Sequence, residues 1–223
     1  MINWVIGNFD LKESDQVYII VKLGDQIEKL SEDWFQQAKI KVNFIILKGP
    51  TQGPADTVNQ ARDYIDPELP LIVANSDQFV NANLNEFVLK VCDSTSAGHI
   101  LTMQASGNKW SYVKRSFEGL VQEVVEKVEI SDEATVGIYG WQRAKHFFDS
   151  FDCMVSVNDR TNNEFYVAPT YNYLIEQGLI VSAENIGKVE AKVFGLGTPE
   201  DLRIFIASDE FVPRAEILNH FLK

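Results

Sequence analysis

The stretch Leu69-Pro70-Leu71-Ile72-Val73-Ala74-Asn75-Ser76-Asp77-Gln78-Phe79-Val80 carries the strongest indication of the fold. Its segment from Leu71 to Ala74 is continuously apolar, which is typical of a strand covered on both faces in a parallel sheet. The run ends abruptly in three small polar residues, the last of which is Asp77. Ligands of open α/β sheets bind just beyond the carboxyl ends of the strands, where a carboxylate can hold a divalent metal ion against a phosphate. The alternative is that Asp77 only turns the chain, a common role of Asp after a strand.

Length and composition describe an ordinary globular protein. The chain has 223 residues, of which 45% are hydrophobic and 23% charged, and we expect one domain with a subdomain rather than two domains. The formal net charge of -12 argues against a nucleic-acid surface, because phosphate backbones are bound by clustered Lys and Arg. A nucleotide substrate stays open, since a few placed cations and one metal ion suffice for it.

The cysteines and the hydropathy pattern favour a soluble cytoplasmic protein. Cys92 and Cys153 have no metal-like or redox-like spacing, and two cysteines are too few for a disulfide scaffold. A reducing setting is therefore the simple interpretation. No apolar run approaches the length of a membrane span, and the N-terminus has neither a basic region nor a cleavage site.

Strands and helices alternate along the first third of the chain. Apolar runs predict strands, helical periodicity predicts helices, and Gly and Pro mark a loop. This rhythm predicts an α/β fold with a mostly parallel, Rossmann-like sheet flanked by helices. The predicted elements are a strand at 17–21, a helix at 25–38, a strand at 42–47, a loop at 48–54, a helix at 55–65 and the strand at 71–74.

The pattern changes after a helix at 85–91. Short strands separated by turn residues follow, and we expect them to form a small antiparallel subdomain from about residues 98–141 and 179–194. Two further helices are predicted at 142–151 and 164–177. Another begins after Thr198, with Thr198 as N-cap and Pro199 in the first helical position. The apolar positions Phe211, Ile217, Leu218 and Phe221 predict a helix in the C-terminal segment.

At this point six motifs, in the order of a known family, make the chain resemble the sugar-phosphate nucleotidyltransferases, or nucleotide-diphospho-sugar pyrophosphorylases. The resemblance runs along nearly the whole chain and implies a single nucleotidyltransferase-like domain over residues 1–223. The motifs are Gln52-Gly53-Pro54-Ala55-Asp56-Thr57-Val58, Ala74-Asn75-Ser76-Asp77-Gln78, Val124-Val125-Glu126-Lys127, Ala134-Thr135-Val136-Gly137-Ile138-Tyr139, Asn163-Glu164-Phe165-Tyr166 and Gly195-Leu196-Gly197-Thr198-Pro199-Glu200-Asp201.

The resemblance implies a reaction between a nucleoside triphosphate and a sugar 1-phosphate, with Mg²⁺ as cofactor. An oxygen of the sugar phosphate attacks the α-phosphorus and pyrophosphate leaves, which asks the protein mainly for positioning and charge neutralisation. Asp77 matches the aspartate that holds Mg²⁺ in the family, so Asp77 is a candidate metal ligand and catalytic residue. The resemblance further implies a role in nucleotide-sugar supply for capsule or polysaccharide biosynthesis. We expect no nucleic acid and no membrane as partner.

The other site residues also follow from the resemblance. Gln52 and Gly53 match the loop that lies against the base, where a Gly lets backbone approach a flat ring, and Asn75 joins them as a nucleotide-binding candidate. A larger set matches the sugar-phosphate site, with carboxylates that accept hydrogen bonds from hydroxyls and a lysine that neutralises the phosphate and is the second catalytic candidate. This set comprises Glu126, Lys127, Gly137 and Glu164.

Each of these residues also has a purely structural interpretation. Lys127 can be a solvated charge in a Glu-rich strand, and Glu164 a first-turn carboxylate that favours a helix dipole. The Gln52-Gly53-Pro54 segment is, by composition, only a turn. Gly137 inside a strand can mark a bulge.

Two departures from the family pattern weaken the prediction of full activity. Family members open with a strand, a Gly-x-Gly-x-Arg loop and a Lys-Pro segment that together grip the triphosphate, and this sequence begins with residues similar to the helix after them. Many members also carry a second metal-binding aspartate where this chain has Gly195. We therefore expect impaired catalysis. The alternatives are a glycosyltransferase of the related fold that uses a nucleotide-sugar donor, or a non-catalytic sugar-phosphate-binding subunit.

The absent first strand would be central in the sheet, between the strands at 17–21 and 71–74. Its loss would leave two unpaired edges in apolar surroundings. The sequence leaves three explanations: a rearranged sheet, closure by a partner subunit such as a second copy of the chain, or a natural product longer than this chain. We favour an incomplete reading frame.

Overall fold

The computed structural model describes residues 2–25, 35–36, 39–93, 95–188, 192–211 and 216. Helices and strands alternate in the first half, and strands dominate the middle. The helices are α1 (Ile2–Ile6), α2 (Pro54–Asn59), α3 (Leu84–Asp93), α4 (Ala144–Ser156), α5 (Thr170–Glu176) and α6 (Pro199–Ile206). The strands are β1 (Val17–Lys22), β2 (Val42–Leu47), β3 (Leu71–Ala74), β4 (Gln78–Val80), β5 (Gly98–Gln104), β6 (Ser111–Arg115), β7 (Val121–Glu126), β8 (Glu133–Trp141), β9 (Val181–Lys188) and β10 (Val193–Gly195).

The chain divides into two compact units. The smaller unit comprises Met1–Pro50, Asn75–Asn85 and Val193–Lys223, and the larger unit comprises Thr51–Ala74 and Glu86–Lys192. The prediction of a single domain over residues 1–223 stays a prediction.

A mixed six-stranded sheet forms the larger unit. Its strands follow the order β7-β6-β8-β5-β9, and β3 pairs with β8. The long strand β8 has β5 along one edge, while β6 and β3 pair with its first and last residues, as in Tyr112 opposite Ala134 and Leu71 opposite Trp141. β9 runs parallel to β5, and the other pairs of this sheet are antiparallel. The α/β class is confirmed.

The opening stretch forms a strand with the predicted bounds, Leu71–Ala74. Its partner among the described residues, β8, runs antiparallel to it. The reason for this difference is that a continuous apolar run reports burial, and burial alone does not set the direction of the neighbouring strand. A separate antiparallel pair is present, but β4 and β10 form it, whereas the segment expected to be a small subdomain contributes strands to the large sheet.

Aromatic packing fixes the core of the larger unit. The rings of Trp141 and Tyr171 stack with centroids 4.7 Å apart and planes 2° apart, and Phe147 packs edge-on against Trp141. The Tyr171 hydroxyl donates to backbone carbonyls of β5 and β8, at His99 (2.9 Å) and Gly140 (3.0 Å). Burying such a pair is worth several kcal/mol, roughly 1.5–3 kcal/mol for each large apolar side chain. Helix α5 is thereby locked onto the sheet.

The smaller unit is built on two short sheets and an aromatic cluster. β1 and β2 pair in parallel from Val17 opposite Val42. Trp4 of α1 packs edge-on against Phe205 of α6, and the ring centroids of Phe79 and Phe205 lie 5.1 Å apart. Helix α6 begins as predicted, because the backbone N–H of Asp201 donates to the Thr198 hydroxyl.

Two predicted helices are shorter than expected. The helix predicted at 55–65 ends at Asn59, and a single 3₁₀ turn, Arg62–Tyr64, follows. The helix predicted at 164–177 begins only at Thr170. The reason is that the backbone of Phe165 is hydrogen-bonded elsewhere. Its N–H donates to the Gln52 carbonyl and its carbonyl accepts from the Ala55 N–H, at 2.9 Å each, so neither group is available for a helical turn. The predicted helix at 25–38 and the C-terminal helix lie outside the described residues except for isolated positions. None of the helices in the described ranges is long and apolar enough to cross a bilayer.

Candidate functional site

Five of the predicted site residues lie in three neighbouring segments of the larger unit. The first is the turn of Gln52 and Gly53 before α2. The turn is held by its own helix, since the Gln52 N–H donates to Asp56 Oδ2 at 2.8 Å and the Thr51 and Thr57 hydroxyls share a hydrogen bond of 2.7 Å. Pro54 starts the helix in the first position, where its missing N–H costs nothing.

Gly53 is required by a close approach of two backbones. Its φ is +128°, and a Cβ at this position would lie 2.6 Å from the nitrogen and 2.7 Å from the oxygen of Phe165. This conformation is essentially restricted to Gly. The structural interpretation of the segment as a turn is therefore correct, and the turn also brings Gln52 directly beside the segment that carries Glu164.

Lys127 and Glu164, predicted as separate sugar-phosphate residues, are joined by Tyr166. The Lys127 ammonium donates to the Tyr166 hydroxyl at 2.6 Å, and that hydroxyl donates to Glu164 Oε2 at 2.8 Å. The ammonium also lies 4.7 Å from the centroid of the Tyr166 ring. The pKa of Lys127 is raised, first by the Tyr166 hydrogen bond, and burial raises the pKa of the Tyr166 phenol.

Lys127 follows β7 in a left-handed backbone conformation. Its φ is +60°, which is uncommon for a residue other than Gly, Asn or Asp. The backbone N–H of Lys127 donates to the Trp110 carbonyl at 2.8 Å, which fixes this turn of the chain at the end of the strand. The side chain of Lys127 is hydrogen-bonded to Tyr166, so Lys127 is more than a solvated charge on a strand.

Glu126, the neighbour of Lys127, is buried inside the sheet. It is 6% exposed and accepts a hydrogen bond from the Ser111 hydroxyl. Burial raises the pKa of Glu126, and the Ser111 bond and the charge of Lys127 offset part of this effect. The charge of Glu126 in turn adds to the burial that raises the pKa of Tyr139 to about 12. Glu126 is thus a buried carboxyl group that is hydrogen-bonded to a neutral hydroxyl.

Gly137 marks a β-bulge, as its structural interpretation predicted. Its φ is +74°, and the register between β5 and β8 shifts between Ile100, which faces Tyr139, and Thr102, which faces Thr135. The Tyr139 and Thr135 hydroxyls share a hydrogen bond of 2.9 Å across this shift.

Asp77 and Asn75 belong to the smaller unit, in the turn that precedes β4. Both side chains are exposed. The Asn75 amide donates to Gln78 Oε1 at 3.3 Å, and the Asp77 carbonyl accepts from the Leu196 N–H at 2.6 Å. A Cβ at Gly197 would come within 2.8 Å of Asp77 Oδ2. The absence of a side chain at Gly197 therefore leaves the Asp77 carboxylate open.

The residues around Asp77 fit a metal ion that takes most of its ligands from phosphates and water. In the part of the chain that the structure describes, no three His, Cys, Asp or Glu side chains group together as ligands. At Gly195 a Cβ would lie 2.9 Å from the Asp201 carboxyl carbon. The Asp201 side chain therefore occupies the space that a side chain at position 195 would need. Mg²⁺ is commonly held by one or two carboxylates together with substrate phosphates, and Asp77 can supply one.

A family model for nucleotidyl transferases matches residues 1–165 of the sequence. The chain belongs to the nucleotidyl transferase family. The predicted family and the general class of enzyme are thereby confirmed. No curated protein matches the chain by sequence.

Solved structures with the same fold include three enzymes of nucleotide or nucleotide-sugar chemistry. A nucleoside-diphosphate-sugar pyrophosphorylase from Vibrio cholerae RC9 is similar over 93% of this chain and 87% of its own, with a TM-score of 0.78 and 23% identity. A candidate glucose-1-phosphate thymidylyltransferase from Bacillus anthracis is similar over 98% of this chain and 85% of its own, with a TM-score of 0.78 and 12% identity. The inositol-1-phosphate CTP transferase from T. maritima is similar over 93% of this chain and 77% of its own, with a TM-score of 0.60 and 12% identity. Because these identities are low, the similarity to the three structures supports a shared fold and nothing more specific.

Sequence reasoning missed three residues that complete the cluster in the larger unit. Tyr166 links Lys127 to Glu164, Ser111 binds Glu126, and Arg160 donates to the Gln52 side chain. Tyr166 stood inside a quoted motif beside Glu164, so its position was a usable signal. Ser111 and Arg160 lie 15 and 108 positions from their partners, and only the fold brings them together.

Proposed function

We propose that the chain transfers a nucleoside monophosphate from a nucleoside triphosphate to a sugar 1-phosphate. A phosphate oxygen of the sugar attacks the α-phosphorus, the bond from the α-phosphorus to the oxygen that bridges to the β-phosphorus breaks, and pyrophosphate leaves. Because both substrates are anionic, the protein's work is to position them and to neutralise charge. Membership of the nucleotidyl transferase family supports the general reaction.

The observation that carries the proposal is the connected set of Lys127, Tyr166 and Glu164. An ammonium suits the phosphate of a sugar phosphate, and a carboxylate suits the hydroxyls of the sugar. Tyr166 holds the two charges on either side of one phenol. The ammonium is therefore oriented before the substrate arrives, which reduces the conformational entropy that the side chain loses on binding.

Gln52 and Gly53 are the proposed contacts of the base, and Asn75 a further contact of the nucleotide. The turn is rigid at its backbone, because Gln52 and Ala55 are both bonded to Phe165. Gly137 and Glu126 are proposed to shape the sugar pocket. Gly137 would open the sheet at its bulge, and Glu126 would accept a hydrogen bond from a sugar hydroxyl.

Asp77 is the proposed ligand of a divalent metal ion, for which Mg²⁺ is the first candidate. When bound, such an ion neutralises phosphate oxygens and favours the attack on the α-phosphorus. A cytoplasmic setting belongs to the same proposal. Self-association of the chain also stays a proposal.

Gly195 favours one alternative, a non-catalytic subunit that binds a sugar phosphate. This position offers no carboxylate to a metal ion and its backbone packs against Asp201. A chain with this role would bind its ligands but turn over slowly or not at all, as the expected impairment also predicts.

The test measures pyrophosphate release by the full chain with each common nucleoside triphosphate, a panel of sugar 1-phosphates and Mg²⁺. Calorimetric titration with each substrate alone separates binding from turnover. Asp77→Asn should abolish Mg²⁺-dependent nucleotide binding. The same substitution at Asp63, another exposed aspartate, should not. Binding of both substrates without pyrophosphate release would favour the non-catalytic subunit. A chain that binds neither substrate would contradict the proposed function.

A further inference from the structure

Arg160 is held rigidly beside the proposed base-binding turn. Its Nε donates to Asn158 Oδ1 at 2.7 Å, its Nη1 donates to the Asn163 carbonyl at 3.0 Å, and its guanidinium carbon lies 3.8 Å from the centroid of the Phe165 ring. Asn158 and Asn163 both adopt positive φ, at 52° and 64°. The loop therefore wraps around the guanidinium and leaves Nη2 pointing at Gln52, whose Oε1 accepts from it.

The pairing with Arg160 fixes which end of the Gln52 amide is free. A guanidinium has only donors, so the group facing it must be the amide oxygen, however the amide is assigned. The backbone N–H of Gln52 is bonded to Asp56 and its carbonyl to Phe165. Among the described residues none accepts a hydrogen bond from Gln52 Nε2, and the side chain is exposed. The free hydrogen-bonding group of Gln52 is therefore an NH₂ donor.

We propose that Arg160 sets the base preference of the enzyme by presenting Gln52 as a donor, which favours bases with a carbonyl at the edge they turn toward Gln52. At the edge that carries C4 of a pyrimidine or C6 of a purine, uracil, thymine and guanine have an acceptor oxygen, whereas cytosine and adenine have an amino donor. An amino group facing Nε2 would place two hydrogen-bond donors opposite each other with no acceptor. This lowers the affinity for the nucleotide. This inference rests on the proposed function, in which Gln52 lies against the base.

The experiment compares the binding of UTP and CTP, with GTP and ATP as the purine pair, to the full chain in Mg²⁺. We expect the wild type to bind UTP at least about ten-fold more tightly than CTP, which corresponds to one well-placed hydrogen bond. Arg160→Lys keeps a donor at the position and should keep the ranking. Arg160→Glu places an acceptor there, should draw Nε2 toward itself and should reverse the ranking by turning Oε1 outward.

Gln52→Glu tests the same inference without changing Arg160. A carboxylate at position 52 pairs with the guanidinium and has only acceptors to offer, so it too should favour CTP over UTP. Thermal melting verifies that each variant is folded. Nucleotide binding with an unchanged ranking in both glutamate variants would overturn the role of Arg160 and leave the proposed function standing. Absence of nucleotide binding by the wild type would overturn both.

Discussion

Lys127 and Tyr166 are 39 residues apart in sequence and are joined by a 2.6 Å hydrogen bond from the ammonium to the phenol oxygen. The ammonium lies on the hydroxyl side of the phenol ring, 4.7 Å from the ring centroid. Because the phenol proton is committed to Glu164, its oxygen is free to accept from the lysine. One tyrosine therefore orients both charged groups of the candidate sugar-phosphate site.

Tyr166→Phe should weaken the binding of sugar 1-phosphates roughly ten-fold, because it removes a hydrogen bond to a charged group while keeping the aromatic ring. The binding of nucleoside triphosphates should change little. Calorimetric titration with each substrate measures both effects. Tyr173→Phe is the matched control, since the Tyr173 hydroxyl also donates to a carboxylate, Asp159, at 2.9 Å. Equal losses for both substrates, or for both variants, would assign Tyr166 a general structural role.

Lys127→Ala and Lys127→Gly should both remove the preference for a phosphorylated sugar over the free sugar. They should differ in stability, because φ at this position is +60° and glycine adopts it without steric cost. We expect the glycine variant to be more stable than the alanine variant by roughly 0.5–1 kcal/mol. Urea denaturation measures this difference. If the alanine variant were the more stable one, backbone strain at Lys127 would be ruled out.

Gly53→Ala should destabilise the protein by about 2–4 kcal/mol, because the added Cβ would overlap the backbone of Phe165. Gly107→Ala is the control, since Gly107 also has a positive φ, +96°, but has nothing within 4 Å of an added Cβ. The control should lose only about 1–2 kcal/mol, the cost of the backbone conformation. Thermal and chemical denaturation of both variants separate the two effects, and equal losses would show that the contact with Phe165 is unimportant.

Glu126→Gln should stabilise the protein at neutral pH and lose this advantage in acid. Burial raises the pKa of Glu126 in the folded state above its unfolded value, so the stability that its protonated form contributes is present in acid. That contribution is lost as the pH rises through the folded pKa. Glutamine stays neutral throughout and keeps an oxygen for Ser111. Melting curves of both proteins from pH 4 to pH 8 measure the difference, and a difference that does not vary with pH would contradict the role of burial.

Local patterns in the sequence were enough to predict most elements of the fold. Leu71–Ala74 appears with its predicted bounds, Thr198 caps the last described helix, and Gly137 marks a bulge. These features depend on neighbours within a few positions, such as an apolar run, a hydroxyl before a proline or a glycine inside a strand. The helix predicted to start at Glu164 failed for the opposite reason. The backbone of its second residue, Phe165, bonds to Gln52 and Ala55, more than 100 positions earlier.

The sequence by itself determined the family, the order of the elements and the residue types available for binding phosphates and sugars, because motifs and periodicity are local. Only the tertiary structure decided which groups act together. It placed Tyr166 between Lys127 and Glu164, buried Glu126 against Ser111, and aimed Arg160 at Gln52. Such pairings depend on strand register and on loops that meet in space, and on hydrogen bonds that must be satisfied where the chain folds back on itself.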